Sequence, residues 1–240
     1  MTGVEAKEAF LIYYDRVTSF SAPGYEDEEI YQFLSDAQLE FVKERTFGLN
    51  NLPPKFDDNE KRVADLFPLI ETTGQISPTA NTDYGNAWYC SKSAGGIISP
   101  LYTFGVSALL KRSGYPEIAD AKWIECERIK SENAAKFVSN TFNKPHFVKP
   151  KWFETNKNYI VVCDAYTTLF SGLKFIYIKN PYPISETSLE YDGSYDATHM
   201  SLHSSTHKEI VDLAVKNALQ VIGDPRWQTK MQQEQMEPDK

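Results

Sequence analysis

Residues 206–222 read THKEIVDLAVKNALQVI, and the apolar residues of this stretch decide the fold. These residues are three or four positions apart, which places them on one face of a helix. Leu213 widens this apolar face. The stripe consists of Val211, Ala214, Val215, Ala218, Leu219 and Ile222. A helix with such a face needs another element to bury it.

A matching stripe lies near the start of the chain, directly after the acidic residues 26–29. It consists of Ile30, Phe33, Leu34, Ala37, Phe41 and Val42. Carboxylates favour a first helical turn and Gly48 can end the helix, so we expect a helix between them. Another helix is expected over residues 4–17. We expect the early and late stripes to bury each other, so that a bundle closes through residues far apart in sequence.

A short third helix is expected after the second, because Asp57 and Glu60 have the spacing of a capping box. Pro68 should disrupt this helix. Three of its side chains should face inward: Val63, Leu66 and Phe67.

The middle of the chain is rich in Ile, Val, Tyr, Phe and Trp, the residues typical of strands. We expect strands over residues 101–110, 123–129, 159–163 and 173–178, and a short helix capped by Ser131. Residues 71–99, rich in Ser, Thr, Asn and Gly, are expected to form a long loop.

The predicted fold class is therefore α+β. N-terminal helices and a returning C-terminal helix form a helical bundle from residues 1–70 and 205–225. A mainly antiparallel β-rich domain with long loops is inserted at residues 71–204. Residues 226–240 have few apolar side chains and are expected to form a flexible tail.

Composition bounds the possible functions. With 240 residues, 41% of them apolar, the chain can build a substantial core, and its formal charge of -8 argues against general affinity for nucleic acid. The first ten residues lack a basic start followed by an apolar run, so we expect no cleaved signal, and no stretch is long enough to span a bilayer. Three separated cysteines without a CxxC pair predict reduced thiols, not a disulfide framework or a zinc site.

The common signatures of phosphate, dinucleotide, acyl-transfer and zinc-protease sites are absent from the sequence. His199, His203 and His207 are spaced four apart, which on one helix would align three metal ligands. The helix is expected to begin only near Thr206, where Glu209 completes a capping box, so a solvated or interface loop is the favoured interpretation. We expect no cofactor.

Three further segments admit a functional and a structural interpretation, and the structural one is favoured each time. Residues 143–152 alternate cations with rings, as in contacts to single-stranded nucleic acid, but two prolines favour an extended segment whose aromatics dock on the sheet while its lysines stay solvated. Residues 190–196 carry three carboxylates without the ligand spacing of a calcium loop. The pairs Asp57/Asp58 and Glu28/Glu29 suit helix starts better than acid/base catalysis.

Four segments in order resemble one family, the neck and tail ring proteins of crAss-like short-tailed bacteriophages. Residues 27–45, DEEIYQFLSDAQLEFVKER, resemble the family's second helix. NTFNKP at 140–145 resembles the link from a short helix into a strand, and IYIKNP at 176–181 resembles the end of the last strand. Residues 202–226 resemble the returning helix. The match spans nearly the whole chain.

The resemblance implies a non-enzymatic virion protein, made in the host cytoplasm, that forms a homo-oligomeric ring. By the same resemblance the ring is twelvefold, connects the portal protein to other neck and tail proteins, and surrounds the channel through which DNA leaves. An acidic lumen would let DNA pass without specific binding. No membrane contact is expected. The candidate interface residues are Asp224, Arg226, Trp227, Tyr191, Tyr195 and Trp88.

Two rival functions remain open. The first is a virion-associated carbohydrate hydrolase, because Trp88, Trp123 and Trp152 could stack on sugars beside a carboxylate pair. The second is a nucleic-acid-binding protein packaged with the genome, whose affinity would fall steeply with salt.

Overall fold

The computed structural model describes residues 1–17, 24–47, 60–81, 83–92, 97, 100–112, 121–140, 142–186 and 199–222. The helices within them are α1 (Gly3–Val17), α2 (Asp27–Phe47), α3 (Glu60–Leu66), α4 (Ala134–Ser139) and α5 (His207–Ile222). The strands are β1 (Ile70–Thr72), β2 (Thr79–Asn81), β3 (Ala87–Ser91), β4 (Pro100–Arg112), β5 (Lys122–Arg128), β6 (Lys151–Glu154), β7 (Asn158–Val162) and β8 (Thr167–Lys179). The predicted mixture of helices and a sheet is confirmed at this level.

The chain divides into two compact units. The helical unit comprises Met1–Leu69 and Pro181–Lys240, and the sheet unit comprises Ile70–Asn180. Among the described residues, no helix has both the length and the apolar character that crossing a membrane requires.

A reciprocal pair of hydrogen bonds starts α1. The Thr2 amide donates to Glu5 Oε2 at 2.9 Å, and the Glu5 amide donates to Thr2 Oγ1 at 3.2 Å. This is a capping box, in which each side chain satisfies a backbone amide that the first turn leaves without a partner. The same helix buries Ala6, Phe10 and Tyr14.

Helix α5 lies against α2 and α1 within the helical unit. Its residues Val211, Ala214, Val215, Ala218 and Leu219 are fully buried. Polar contacts accompany the apolar ones: Tyr25 Oη donates to the Ala218 carbonyl at 2.9 Å, and Asn217 Nδ2 donates to Glu40 Oε2 at 2.8 Å.

Helix α2 also fixes the segment that follows the sheet unit. Gln38 is fully buried, yet its amide is satisfied on both sides, donating to the Tyr182 carbonyl at 2.9 Å and accepting from the Ser201 amide at 3.2 Å. The Ser35 hydroxyl accepts from the Ile184 amide at 2.9 Å. A buried amide with both ends paired ties Tyr182 and Ser201 to α2.

The prediction that Phe67 faces inward is wrong. Helix α3 ends at Leu66, and a 3₁₀ turn over Phe67–Leu69 follows, in which Leu69 is buried and Phe67 is 71% exposed. The tighter winding of this turn, imposed around Pro68, rotates Leu69 inward in place of Phe67. The predicted cap at Asp57 lies outside the described residues.

The eight strands form one sheet in the order β1-β8-β4-β5-β6-β7-β3-β2. Neighbouring strands pair antiparallel, except for β5 and β6, which are parallel. The long strand β8 pairs with both β1 and β4, and register shifts along β4 mark local irregularities. Such bulges increase local twist, which suits a sheet that curls around its own core.

Two clusters of buried side chains fill the sheet unit. The larger draws on β3 to β8 and contains Val106, Cys126, Trp152, Tyr159, Leu173, Phe175 and Tyr177. The smaller lies between the opposite face of β3, β6 and β7 and helix α4, and contains Ala87, Ile129, Ala134, Phe153, Ile160 and Val162.

Two predictions about this unit are wrong. Residues 71–99, expected to be a loop, contain most of β1 and all of β2 and β3. These strands are short and are held by distant partners, β8 and β7, that local sequence does not reveal. Ser131 does not cap a helix, because it lies inside a 3₁₀ turn whose N-cap is Lys130.

Candidate functional site

A concavity of about 470 Å³ lies where β5 and β6 end. Parallel pairing of β5 with β6, with Arg128 opposite Trp152, brings these strand ends together. The lining residues are Arg128, Ile129, Lys130, Ser131, Glu132 and Glu154.

Glu154 is the centre of a charged network in this concavity. Its Oε2 accepts from Lys92 Nζ at 3.0 Å, and its Oε1 pairs with the guanidinium of Arg128. The same guanidinium lies 5.2 Å from the centre of the Trp152 ring, and Lys92 Nζ lies 5.4 Å from the centre of the Tyr159 ring. Each cation therefore combines an ion pair with an aromatic face.

The two aromatic rings that contact these cations pack against each other in the core. Trp152 and Tyr159 are buried and meet edge to face with ring centres 6.3 Å apart. The hydroxyl oxygens of Tyr159 and Thr103 lie 2.8 Å apart, and the backbone carbonyl of Thr103 accepts from Arg128 Nη1 at 3.4 Å. Burial raises the pKa of Tyr159, so this hydroxyl stays protonated and available for its hydrogen bond.

The arrangement favours a structural role over acid/base catalysis. A general acid needs a carboxyl group that can hold a proton near neutral pH, usually in an apolar setting. Both oxygens of Glu154 are instead held in ion pairs, one with Lys92 and one with Arg128. The network therefore links Lys92, which directly follows β3, to β5 and β6 electrostatically. Lys130 and Glu132 add charge of both signs to the lining of the concavity.

The three tryptophans considered for sugar stacking occupy different environments. Trp152 is 1% exposed, so it cannot serve as a sugar platform. Trp88 lies on β3 opposite Ala80 and Val161 and packs partly against the core. Trp123 is 38% exposed and has Lys174 Nζ 4.3 Å from its ring centre. The structure does not bring these rings together into one binding face around a carboxylate pair.

The cation-rich segment 143–152 is partly built into the sheet unit. Phe147 packs against the core and Trp152 is inside it, as expected for aromatics that dock on the sheet. The expectation that the lysines stay solvated is wrong for Lys151, which is 5% exposed and pairs with Glu127. This hydrogen bond lowers the pKa of Glu127.

The three histidines do not line one helical face. His207 is buried in the first turn of α5, where its Nε2 donates to the Leu202 carbonyl at 2.9 Å. Its Nδ1 accepts from the Met1 amino group at 3.1 Å, and burial lowers its pKa. His203 lies before the helix, with Nδ1 2.8 Å from Ser205 Oγ, and His199 forms a β-bridge with Thr2. Within the described ranges no cluster of His, Cys, Asp or Glu could hold a metal ion.

A helix start also accounts for the one acidic pair that the structure describes. Glu28 and Glu29 lie in the first turn of α2, and Glu29 Oε2 accepts from the Glu26 amide at 3.0 Å. The predicted box at Thr206 does not form, because the Thr206 amide and hydroxyl both donate to the His203 carbonyl, and Glu209 pairs with Arg45.

Most of the predicted interface residues lie outside the described residues: Asp224, Arg226, Trp227, Tyr191 and Tyr195. The acidic segment 190–196 and the pair Asp57/Asp58 also lie outside them. Trp88 is the one described member of the set, and it lies on β3.

One exposed apolar surface lies on α1. Val4, Leu11 and Ile12 are 41%, 37% and 53% exposed. Their spacing places them on the side of the helix away from its buried face, together with the exposed carboxylates of Glu5 and Glu8. We name these five residues the α1 surface.

Two further exposed apolar side chains lie in the loop between α4 and β6. Phe142 is 98% exposed and Val148 is 67% exposed, and the loop also exposes Lys144, His146 and Lys149. We name these five residues the turn surface. Sequence reasoning singled out the lysines but not the exposure of Phe142, which a propensity argument would have placed inside.

All three cysteines, Cys90, Cys126 and Cys163, are free and buried. Burial raises the pKa of each thiol, in the case of Cys126 to about 12. Since the thiolate is the reactive form, these groups are inert in the folded protein at neutral pH.

No protein-family model matches this chain, and no curated protein matches it.

Proposed function

We propose that this chain is a structural, non-enzymatic subunit of a homo-oligomeric ring in the neck or tail of a crAss-like short-tailed bacteriophage. The ring connects the portal to the tail and surrounds the DNA exit channel. The choice of virion and position rests on the resemblance of residues 27–45, 140–145, 176–181 and 202–226 to that family.

The observation that carries the assembly role is the α1 surface. A helix that already buries Ala6, Phe10 and Tyr14 exposes a second apolar face, on which Ile12 is 53% exposed. Clustered apolar side chains on a surface helix, flanked by charges, are typical of protein contact sites. An assembly subunit needs such a face on its outside.

We further propose that α1, α2 and α5 act together as a helical bundle that forms the wall of the ring. Contacts between residues far apart in sequence support this role. Tyr25 donates to the Ala218 carbonyl, Asn217 donates to Glu40, and Arg45 pairs with Glu209 at 2.6 Å. The strand-rich residues between these helices would then be carried as an insertion that reaches other neck proteins.

Charge supports the conduit role. With a formal net charge of -8, the subunit has no excess of positive charge to attract DNA phosphates, so DNA would pass through the channel without binding. Partners would bind through the exposed apolar surfaces and through Arg226, Trp227 and the neighbouring candidate residues. Because acidic subunits repel one another, ring closure needs the portal as a template.

The experiment is co-elution of the purified chain with the portal protein of the same phage. We expect the chain alone to elute as monomers or small species, and the mixture to elute as one large complex. The variant Ile12→Asp should reduce complex formation, whereas Phe67→Asp, which places the same charge at an exposed apolar residue outside the α1 surface, should not. Stable rings without portal would show that no template is needed. Equal effects of Ile12→Asp and Phe67→Asp would show that the α1 surface is not a specific assembly contact.

The same material tests the rival functions. Binding to DNA that weakens steeply as salt is raised would favour the genome-packaged protein. Release of reducing sugar from host-surface glycan would favour the hydrolase.

A further inference from the structure

We propose that the α1 surface of one copy binds the turn surface of a second copy, in a head-to-tail contact. This inference rests on the proposed assembly function and names the two faces that would carry it. It follows from the chemistry of the two surfaces, which lie on different units of the chain.

The surfaces match in their apolar parts. The α1 surface offers Ile12 at 53% exposure and Leu11 at 37%, and the turn surface offers Phe142 at 98% and Val148 at 67%. A protruding aromatic ring that enters an aliphatic face is the usual anchor of a protein interface.

The surfaces are opposite in charge. The α1 surface carries Glu5 and Glu8, and the turn surface carries Lys144 and Lys149. Residues 140–150 contain no acidic residue, so the loop is basic within a chain whose net charge is -8. Complementary charge around an apolar centre favours one partner and one orientation.

Both surfaces are held in place by the fold. The capping box between Thr2 and Glu5 fixes the start of α1. In the turn, the amide of Lys149 donates to the His146 carbonyl at 3.0 Å, and the Phe147 amide donates to Asp164 Oδ2 at 3.3 Å while the Phe147 ring packs on the core. Preorganised surfaces lose less entropy on binding.

The charge pattern selects a heterologous contact over a symmetric one. If two α1 surfaces met, carboxylates would face carboxylates, and if two turn surfaces met, lysines would face lysines, which repels. When different faces meet, each bound copy still offers one free face, so the contact repeats and a ring can close. The second copy is therefore the occupant that the observations favour.

The test is chemical trapping with a short bis-maleimide, since trapping detects a weak contact between subunits. The variants are Ile12→Cys and Phe142→Cys, with Phe67→Cys as the matched control. Native cysteines need not be removed, because Cys90, Cys126 and Cys163 are buried. Circular dichroism verifies that each variant is folded.

We expect the mixture of Ile12→Cys with Phe142→Cys to form covalent dimer at least about tenfold faster than the mixture of Ile12→Cys with Phe67→Cys, because a specific contact raises the local concentration of the two thiols. Each variant alone should trap slowly. Adding Glu8→Lys to the Ile12→Cys copy should lower the yield, and so should added salt. Equal trapping with Phe67→Cys, or faster trapping of either variant with itself, would overturn the proposal.

The failure of this inference can be told apart from the failure of the proposed function. A complex with the portal that forms without selective trapping would mean that other faces make the ring. Selective trapping with no portal complex would mean that the chain associates head to tail but is not a neck subunit.

Discussion

Replacing Arg45 with Met is the sharpest perturbation of the helical unit. Arg45 lies on α2 and pairs with carboxylates of two other helices. Its Nε is 3.5 Å from Oδ2 of Asp65 on α3, and its Nη2 is 2.6 Å from Oε2 of Glu209 on α5. The Asp65 side chain is only 8% exposed. Within the described residues neither Arg45 Nε nor Asp65 Oδ2 has a hydrogen-bond partner, so their contact is ionic.

The magnitude follows from the burial of the two carboxylates. Glu209 is 47% exposed, so its pairing with Arg45 should contribute under about 1 kcal/mol. Removing the partner of the buried Asp65 should cost about 3–5 kcal/mol, since its charge is left uncompensated. Met can keep the apolar contact with Phe41, whose ring centre lies 4.8 Å from the guanidinium carbon. We therefore expect Arg45→Met to lower the free energy of unfolding of the helical unit by about 3–5 kcal/mol.

The assay is urea unfolding followed by the helical circular dichroism signal. Two variants separate the contributions: Glu209→Gln should cost less than about 1 kcal/mol, and Arg45→Met combined with Asp65→Leu should recover most of the loss, because no buried charge remains. If Arg45→Met costs no more than Glu209→Gln, or if Asp65→Leu brings no recovery, then Asp65 is not buried against Arg45 and this account of how α2, α3 and α5 meet is refuted.

Three further outcomes are expected. Tyr159→Phe and Thr103→Val should each cost about 1–2 kcal/mol by leaving a buried hydroxyl or its partner unpaired, whereas the double variant should cost less than their sum in the same urea assay; strict additivity would contradict the bond. Burial raises the pKa of Cys126 to about 12, so as pH rises the thiol loses its proton first in the unfolded protein, and the free energy of unfolding should fall above about pH 9. A thiol reagent should modify Cys126 only after unfolding. Rapid modification of the native protein would contradict this prediction. Gly3→Ala would place a Cβ 2.4 Å from the Ser185 carbonyl oxygen and should lower the melting temperature through a loss of about 1–3 kcal/mol, measured by calorimetry; an unchanged melting temperature would mean that the backbone is not this close.

The long helices could be predicted from the sequence because their signals are local. An apolar stripe sets the buried face and an acidic first turn sets the start, so the expected helix over residues 4–17 differs by one residue from Gly3–Val17. Gly48, expected to end α2, lies outside the described residues. The spacing of Thr2 and Glu5 in the sequence also fits the capping box that the structure shows, and a cap at Thr2 makes Gly3 the first residue of α1. The four expected strands are likewise confirmed: 101–110 and 173–178 lie inside β4 and β8, and 123–129 and 159–163 each extend one residue beyond β5 and β7.

The strands at the end of the sheet could not be predicted in the same way. Residues Thr79–Asn81 form β2 although none of them is buried, and their place is set by pairing with β3. Strand β3 is in turn set by β7, some seventy residues later in the chain. Because β3 is stabilised by pairing with a strand far away in the sequence, the polar composition of residues 71–99 alone indicates a loop.

The candidate sites show the same limit. Lys92, Arg128 and Glu154 come together from separate parts of the sequence, and no spacing rule connects them. The histidine spacing, by contrast, suggested a site that the first turn of α5 divides: His207 is buried there and His203 stays exposed before it. Spacing predicts a site only when one regular element carries all of its members.

The central claim, that this chain is a ring-forming subunit, is tested most directly by the native mass of its complex with the portal protein. The mass of the complex should exceed that of the portal alone by a whole-number multiple of 27.4 kDa, with twelve copies expected from the family resemblance. A mixture that shows only free portal and a free 27.4 kDa chain at every concentration would contradict it.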